Sequence, residues 1–229
     1  MLETNKVALF DFCETIANFQ TADAYVDFVR EKLNDKQMYK MERMQNLLKK
    51  IKLIQIAERI TGNKYSINKR IKLLQLKGQS YLLLQELAKE YYQERIRTNV
   101  IPEMLNKLLE LKAEGYKIIL VSGGYDIYLS YFVNEYSLSD VISTRIGFKN
   151  NICTGRFDGV DCLRDGKTFL LDRYFDSRPN YSIAFSDSIS DLPFLNWADE
   201  GVVVSKVKSQ KWAKDNNFNE IIWYENKDN

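Results

Sequence analysis

The sequence predicts an α/β protein: a mostly parallel sheet with helices on both faces, interrupted after its first strand by an all-helical insertion. Three observations carry this. Short apolar runs, "VALF" (7–10), "YKIILVS" (116–122), "YSIAFS" (181–186), "GVVVS" (201–205) and "EIIWY" (220–224), recur along the chain and have the length of buried strands. From residue 101 these runs alternate with helix-forming segments, as right-handed βαβ crossovers require. Between the first run and the second, residues 16–97 hold no proline, only two glycines (Gly62 and Gly78), and many Leu, Ile, Lys, Gln and Glu, a helix-forming composition.

In chain order, the first strand delivers Asp11 to its carboxyl end. Helices are expected over 21–33, 35–60, 66–77 and 79–97, with Gly62 and Gly78 as natural stops. The segment 35–60 places Met38, Met41, Met44, Leu48, Ile51 and Ile54 at spacings of three and four, an amphipathic stripe expected to be core. The tyrosines of this block, Tyr25, Tyr39, Tyr65, Tyr81, Tyr91 and Tyr92, are expected to pack it. Pro102 opens a helix that runs to Glu114, and Gly115 ends it before the strand that leads into Gly123-Gly124. Residues 141–158, with Asn150-Asn151 between two extended runs, are expected to form an appended hairpin. Helical segments around 167–175, 189–197 and 207–216 separate the last strands. The N-terminal strand then belongs with the C-terminal sheet.

Composition narrows the chemistry. A chain of 229 residues with 45% apolar content buries a sizeable core. Its 33 Lys and Arg against 31 Asp and Glu leave +2, so no overall field singles out nucleic acid or an anionic membrane as partner, although local patches stay open. The opening MLETNK is not basic and then apolar, and no apolar stretch is long enough to cross a bilayer; the expected compartment is the cytoplasm. Cys13, Cys153 and Cys162 are odd in number and form no CxxC pair, which suggests neither a disulfide framework nor a zinc knuckle; Cys153 and Cys162 are expected to be buried or incidental thiols. The absence of histidine excludes Ser-His-Asp triads, imidazole bases and His-based metal sites. Catalysis must run on carboxylates, Lys, Ser, thiol or a bound metal.

In open α/β sheets ligands bind at the carboxyl ends of the strands. The polar residues placed there are Asp11, Ser122, and Asp187 with Asp191, joined by Lys167 at a helix start. A hard cation such as Mg²⁺ takes one or two carboxylates plus water and a phosphate oxygen, which Asp11 and Asp187 could supply. A phosphate oriented by the metal, Ser122 Oγ, Lys167 and turn N–H groups could then accept the Asp11 carboxylate in line.

These motifs, in this order, resemble the haloacid dehalogenase-like phosphatase superfamily, in its phosphoserine-phosphatase-like branch with a helical cap inserted after the first strand. Asp11-Phe12-Cys13-Glu14-Thr15 matches the nucleophile motif except that Cys13 replaces the acid at +2. Ser122-Gly123-Gly124, Lys167, and Asp187-Ser188-Ile189-Ser190-Asp191 with Leu192-Pro193 match the other three. The resemblance implies that Asp11 forms an aspartyl-phosphate, that the Cys13 carbonyl and Asp187 ligate Mg²⁺ with Asp191 supporting the site, and that Ser122, Gly123 and Lys167 hold phosphate. In the cap it implies substrate-binding roles for Arg70, within "RIKLLQLKG", and for Gln20, where the family's phosphoserine phosphatases carry a Glu. Arg70 also belongs to a basic stretch with Lys64, Lys69 and Lys72 that fits a solvated face. A neutral amide pairs with an ammonium less strongly than a carboxylate does, which disfavours phosphoserine itself. A thiol with pKa near ~8.5 could donate a proton from position 13 but would be a poor base afterwards, so slow dephosphorylation, a lasting phospho-Asp11, or a substrate whose leaving group needs little help is expected. Glu14 should point to the opposite face of an extended strand.

The resulting expectation is a Rossmann-like three-layer α/β/α core, residues 1–15 and 98–229, with a helical cap, residues 16–97, that closes over the site. Its implied work is Mg²⁺-dependent hydrolysis of a small phosphorylated metabolite, with no nucleic acid or membrane partner. Phosphoryl transfer to another acceptor, or phosphate binding without turnover, stay open as alternatives.

Overall fold

The computed structural model describes residues 6–60 and 66–224. The segment MLETN, the expected stop at Gly62, and Lys64 and Tyr65 lie outside the described residues. The strands are β1 (Lys6–Phe10), β2 (Lys117–Tyr125), β3 (Asp140–Thr144), β4 (Ile146–Lys149), β5 (Ile152–Phe157), β6 (Tyr181–Ser186), β7 (Glu200–Lys206) and β8 (Asn219–Trp223). The helices are α1 (Thr21–Leu33), α2 (Lys36–Lys50), α3 (Leu53–Ile60), α4 (Ile67–Leu73), α5 (Tyr81–Tyr91), α6 (Pro102–Ala113), α7 (Asp126–Glu135), α8 (Asp165–Tyr174), α9 (Leu192–Leu195) and α10 (Lys211–Asp215).

Six strands form one sheet in the order β3-β2-β1-β6-β7-β8, and every neighbouring pair is parallel. Alternation along each strand divides the core in two. Ala8, Phe10, Ile118, Leu120, Ile183 and Phe185 join one apolar cluster, and Val7, Leu9, Ile119, Val121 and Ala184 join another on the opposite face. A strand buried on both faces needs a continuous apolar run, which is why "VALF" (7–10) and "IILV" (118–121) contain no polar residue. Among the described residues no helix is long and apolar enough to cross a membrane.

Helices α1–α5 lie between β1 and α6, and two expectations for them change. The segment 35–60 is not one helix: α2 ends at Lys50, and Lys52, with φ of +60°, turns the chain before α3. Nor is its stripe all core. Met38 and Ile54 are buried, but Met44 and Ile51 are 54% and 51% exposed. Tyr25 and Tyr91 each pack 5.3 Å from Tyr128 of α7 and 5.4 Å from one another, whereas Tyr81 is 37% exposed.

The appended hairpin is shorter than expected. Asp140–Thr144 joins the main sheet, and only β4 and β5 pair antiparallel. Asn150 and Asn151 both have positive φ, 51° and 62°, the geometry of a two-residue turn that follows strand twist. This hairpin touches the helical insertion: Gly78 N donates to Cys153 O, Cys153 N to Gln79 O, and Tyr81 N to Asn151 O, all at 2.8–2.9 Å. The last helix is also short, Lys211–Asp215, with Glu220 accepting from Gln210 N at 2.7 Å at its start. All three cysteines are buried free thiols.

Candidate active site

The strand ends converge on one cleft. β1 stops at Phe10, and Asp11 extends the ladder by one bond, its N–H donating to Phe185 O at 2.9 Å. Beside it, Thr15 Oγ1 accepts from Asp187 N at 3.1 Å and donates to Asp187 Oδ1 at 3.3 Å, tying the turn after β1 to the turn after β6. Asp11, Cys13, Gln20, Gly123, Lys167, Asp187 and Asp191 all border a cleft of about 280 Å³. The structure therefore brings together residues up to 180 positions apart in the chain.

Lys167 is the centre of the charge arrangement. Fully buried at the start of α8, its Nζ stands 3.0 Å from Asp11 Oδ1 and 2.5 Å from Asp191 Oδ2. Asp191 Oδ2 also accepts from Ser186 Oγ at 2.7 Å, so its carboxylate fixes the lysine. Burial alone would lower the Lys167 pKa, but the two carboxylates outweigh it and hold the ammonium charged. For Asp11, burial raises the pKa to about 6, against the pull of Lys167. Asp187 goes further, to about 8, raised by burial and then by the charges of Asp11, Glu14 and Asp191.

One lysine thus serves an excess of carboxylates, an arrangement that could accommodate a cation. Asp11 and Asp187 suit a hard cation. Among the described residues no cluster of three or more acidic or thiol side chains forms a complete ligand shell, so the remainder would come from backbone carbonyl, water and substrate oxygen, as Mg²⁺ prefers.

Cys13 lies at the cleft but its thiol serves elsewhere. Sγ is 3.0 Å from Thr21 Oγ1, which is 2.8 Å from Tyr128 OH. Burial and the neighbouring Asp11 push the thiol up to about 11, leaving about 10⁻⁴ of it ionised at pH 7. Ser122 is fully buried, and its Oγ accepts from Gly124 N at 3.0 Å; Gly123, in the same C-terminal stretch of β2, borders the cleft. A Cβ on Gly123 would lie 2.3 Å from Leu163 Cδ2, so any larger residue there must displace the Leu163 side chain.

Arg70 is not brought to the cleft. Its exposed guanidinium lies 4.8 Å over the Phe157 ring, and the neighbouring Lys69 borders the cleft instead. Lys69 Nζ reaches Asp161 Oδ1 at 2.5 Å and Thr144 Oγ1 at 2.9 Å. Helical phase carries the signal for this: Lys69 lies one i,i+4 step before buried Leu73 and is itself buried, whereas Arg70, a position further round α4, is exposed. Glu14 is the other departure. With φ of +56° it leaves the extended alternation, and its carboxylate borders the cleft, accepting from Gln20 Nε2 at 2.5 Å. Asp23 and Asn68 complete that rim, 3.3 Å apart; no motif marks them in the sequence.

The family model described as haloacid dehalogenase-like hydrolase matches residues 8–196. A phosphoserine phosphatase of Lactococcus lactis is 28% identical over 142 residues, 61% of this chain and 62% of that one. One from Albidiferax ferrireducens is 26% identical over 200 residues, 84% of this chain and 76% of that one. The chain thus spans less than two thirds of the first relative's length and about three quarters of the second's. A solved structure of a Bordetella pertussis protein with unknown function superposes with a TM-score of 0.76 at 18% identity, covering 95% of this chain and 98% of the other; at that identity the likeness is one of fold.

Proposed function

Since the chain belongs to the haloacid dehalogenase-like hydrolases, we propose that it is a phosphatase that hydrolyses a small phosphomonoester through phospho-Asp11 with Mg²⁺ bound. The observation that carries this is Lys167, buried and charged, held between the Asp11 carboxylate and Asp191 at the floor of the cleft. Asp11 Oδ attacks phosphorus as the bond from phosphorus to the alcohol oxygen breaks, and the released alkoxide takes its proton from water. A water molecule then attacks the same phosphorus, freeing Asp11 and inorganic phosphate. Lys167 and the N–H groups around Gly123 hold the phosphoryl oxygens. Asp11, Asp187 and the Cys13 carbonyl would hold Mg²⁺, which supplies neutralising charge on the phosphoryl group.

Glu14 supports a narrower substrate class. The carboxylate seated on Gln20 Nε2 supplies at the rim the negative charge that an amide at position 20 lacks, and Asp23 adds a second. An alcohol bearing an ammonium group, such as a phosphorylated amino acid or amino alcohol, fits this rim; the relatives' names agree with that class. The seating of Cys13 on Thr21 favours one second reading, phosphoryl transfer from phospho-Asp11 to an acceptor other than water. A panel of phosphomonoesters with Mg²⁺, run on the native chain, Asp11→Asn and Cys13→Asp, tests both. Phosphate release by the native chain supports hydrolysis. An inert native chain with an active Cys13→Asp variant supports transfer.

A further inference from the structure

The consecutive helices α2 and α3, with the turn at Lys52 between them, carry both exposed aliphatic side chains and exposed positive charge. Met44, Leu47 and Ile51 recur at spacings of three and four, and Leu53, Ile56 and Ile60 repeat the spacing on α3. Their exposures run from 48% at Ile56 to 80% at Ile60. Between them Lys36, Lys40, Arg43, Lys50, Lys52 and Arg59 are exposed, and the ion pairs among the described residues use none of these six. The two acids of the segment turn inward: Glu42 pairs with Arg30 at 2.8 Å, and Glu58 accepts from Asn68 N at 3.3 Å. Residues 36–60 hold seven Lys and Arg against two Glu, a net +5 in a chain whose total is +2, which leaves −3 for everything else. Near-neutrality of the whole chain conceals a strongly polarised surface.

We propose that these two helices form a docking face for an anionic lipid bilayer surface. The aliphatic residues would enter the boundary between headgroups and acyl chains while the lysines and arginines reach lipid phosphates, the division of labour of an interfacial amphipathic segment. Charge argues against a second copy of this chain, because a two-fold contact would press two +5 faces together. Side-chain type argues against single-stranded nucleic acid, whose bases need aromatic platforms; the exposed apolar residues here are Met, Leu and Ile. Docking would be felt in the cleft. Gln45, on the buried side of α2, donates to Asn68 Oδ1 at 2.8 Å and to Asn68 O at 3.2 Å, and Asn68 borders the cleft. The proposal stands whichever phosphomonoester the site takes.

The test is co-sedimentation of the full chain with vesicles of phosphatidylcholine alone and of phosphatidylcholine with about one third phosphatidylserine, at low and high salt. The expected result is binding to the mixed vesicles only, weakened by salt. Reversing three charges, as Lys40→Glu, Lys50→Glu and Lys52→Glu together, is expected to cut binding by about a hundredfold or more. The pair Leu47→Gln with Ile56→Gln is expected to lower it independently. Circular dichroism and the thermal midpoint show that each variant is folded, and an unfolded triple variant leaves the salt dependence and the apolar pair to decide. No binding by the native chain at low salt, equal binding to neutral vesicles, or binding unchanged in folded variants would overturn the proposal. Self-association through this face without vesicle binding would assign it to a second copy instead.

Discussion

Cys13 shows how one residue sets the tempo of the proposed chemistry. Its thiol faces Thr21, and burial pushes it up to about 11, so it cannot take a proton from water at neutral pH. Replacing it by Asp restores a carboxyl at that position, and Cys13→Asp is expected to speed breakdown of the phosphoenzyme by about 10²–10⁴, read by single-turnover phosphate release. Asp187 yields a pH effect. Its carboxyl is raised from 3.8 to about 8 in the folded chain, so the folded state binds the proton more tightly than the unfolded one. The stability it contributes is full below about pH 4 and is lost as pH rises towards 8. Without divalent cation the thermal midpoint should therefore fall between pH 5 and pH 8, and Asp187→Asn should flatten that fall. Mg²⁺, which takes deprotonated ligands, should raise the midpoint more at pH 8 than at pH 5. A midpoint indifferent to Mg²⁺ at pH 8 would count against the cation site. At this scale the strand-end carboxylates were readable because a polar residue after an apolar run has one place to go. Glu14 was not, since its positive φ breaks the alternation on which strand logic depends. The choice of Lys69 over Arg70 needed the phase of a seven-residue helix.

Among the elements, the turn between β5 and α8 does the most positioning. A Cβ on Gly166 would lie 2.0 Å from Asp161 O, so Gly166→Ala must move the turn that presents both Asp161 and Lys167. The expected cost is about 1–3 kcal/mol, measured by urea denaturation, with a loss of turnover in the folded fraction. Lys69 ties α4 to that turn through Asp161, and both side chains are largely buried. Lys69→Met leaves the Asp161 carboxylate without its cation, an expected loss of about 3–5 kcal/mol; Lys69→Arg should recover part of it. Alternating strands and helices from residue 101 onward were legible because both periodicities are local. The break at Lys52 was not, because the apolar spacing continues across it and only tertiary packing selects which side of each helix is buried.

Across the whole molecule, the sequence implied a parallel sheet and an insertion after its first strand, but strand order rests on long-range pairing that no local pattern encodes. The same holds for the bonds from Gly78, Gln79 and Tyr81 to the β4–β5 hairpin, which join distant segments through backbone groups. Net charge was equally uninformative, since +2 is the sum of a +5 helix pair and a −3 remainder. What unites these scales is the arrival of Asp11, Lys167, Asp187 and Asp191 at one cleft, where Asp11 is the proposed nucleophile. The most direct measurement is rapid acid quench of the native chain with Mg²⁺ and a phosphomonoester it turns over, followed by peptide mass spectrometry. The account expects one phosphoryl group on the peptide carrying Asp11, formed within the first turnover, outlasting release of the alcohol, and absent from Asp11→Asn. Turnover with no adduct at Asp11, or undiminished turnover by Asp11→Asn, would contradict it.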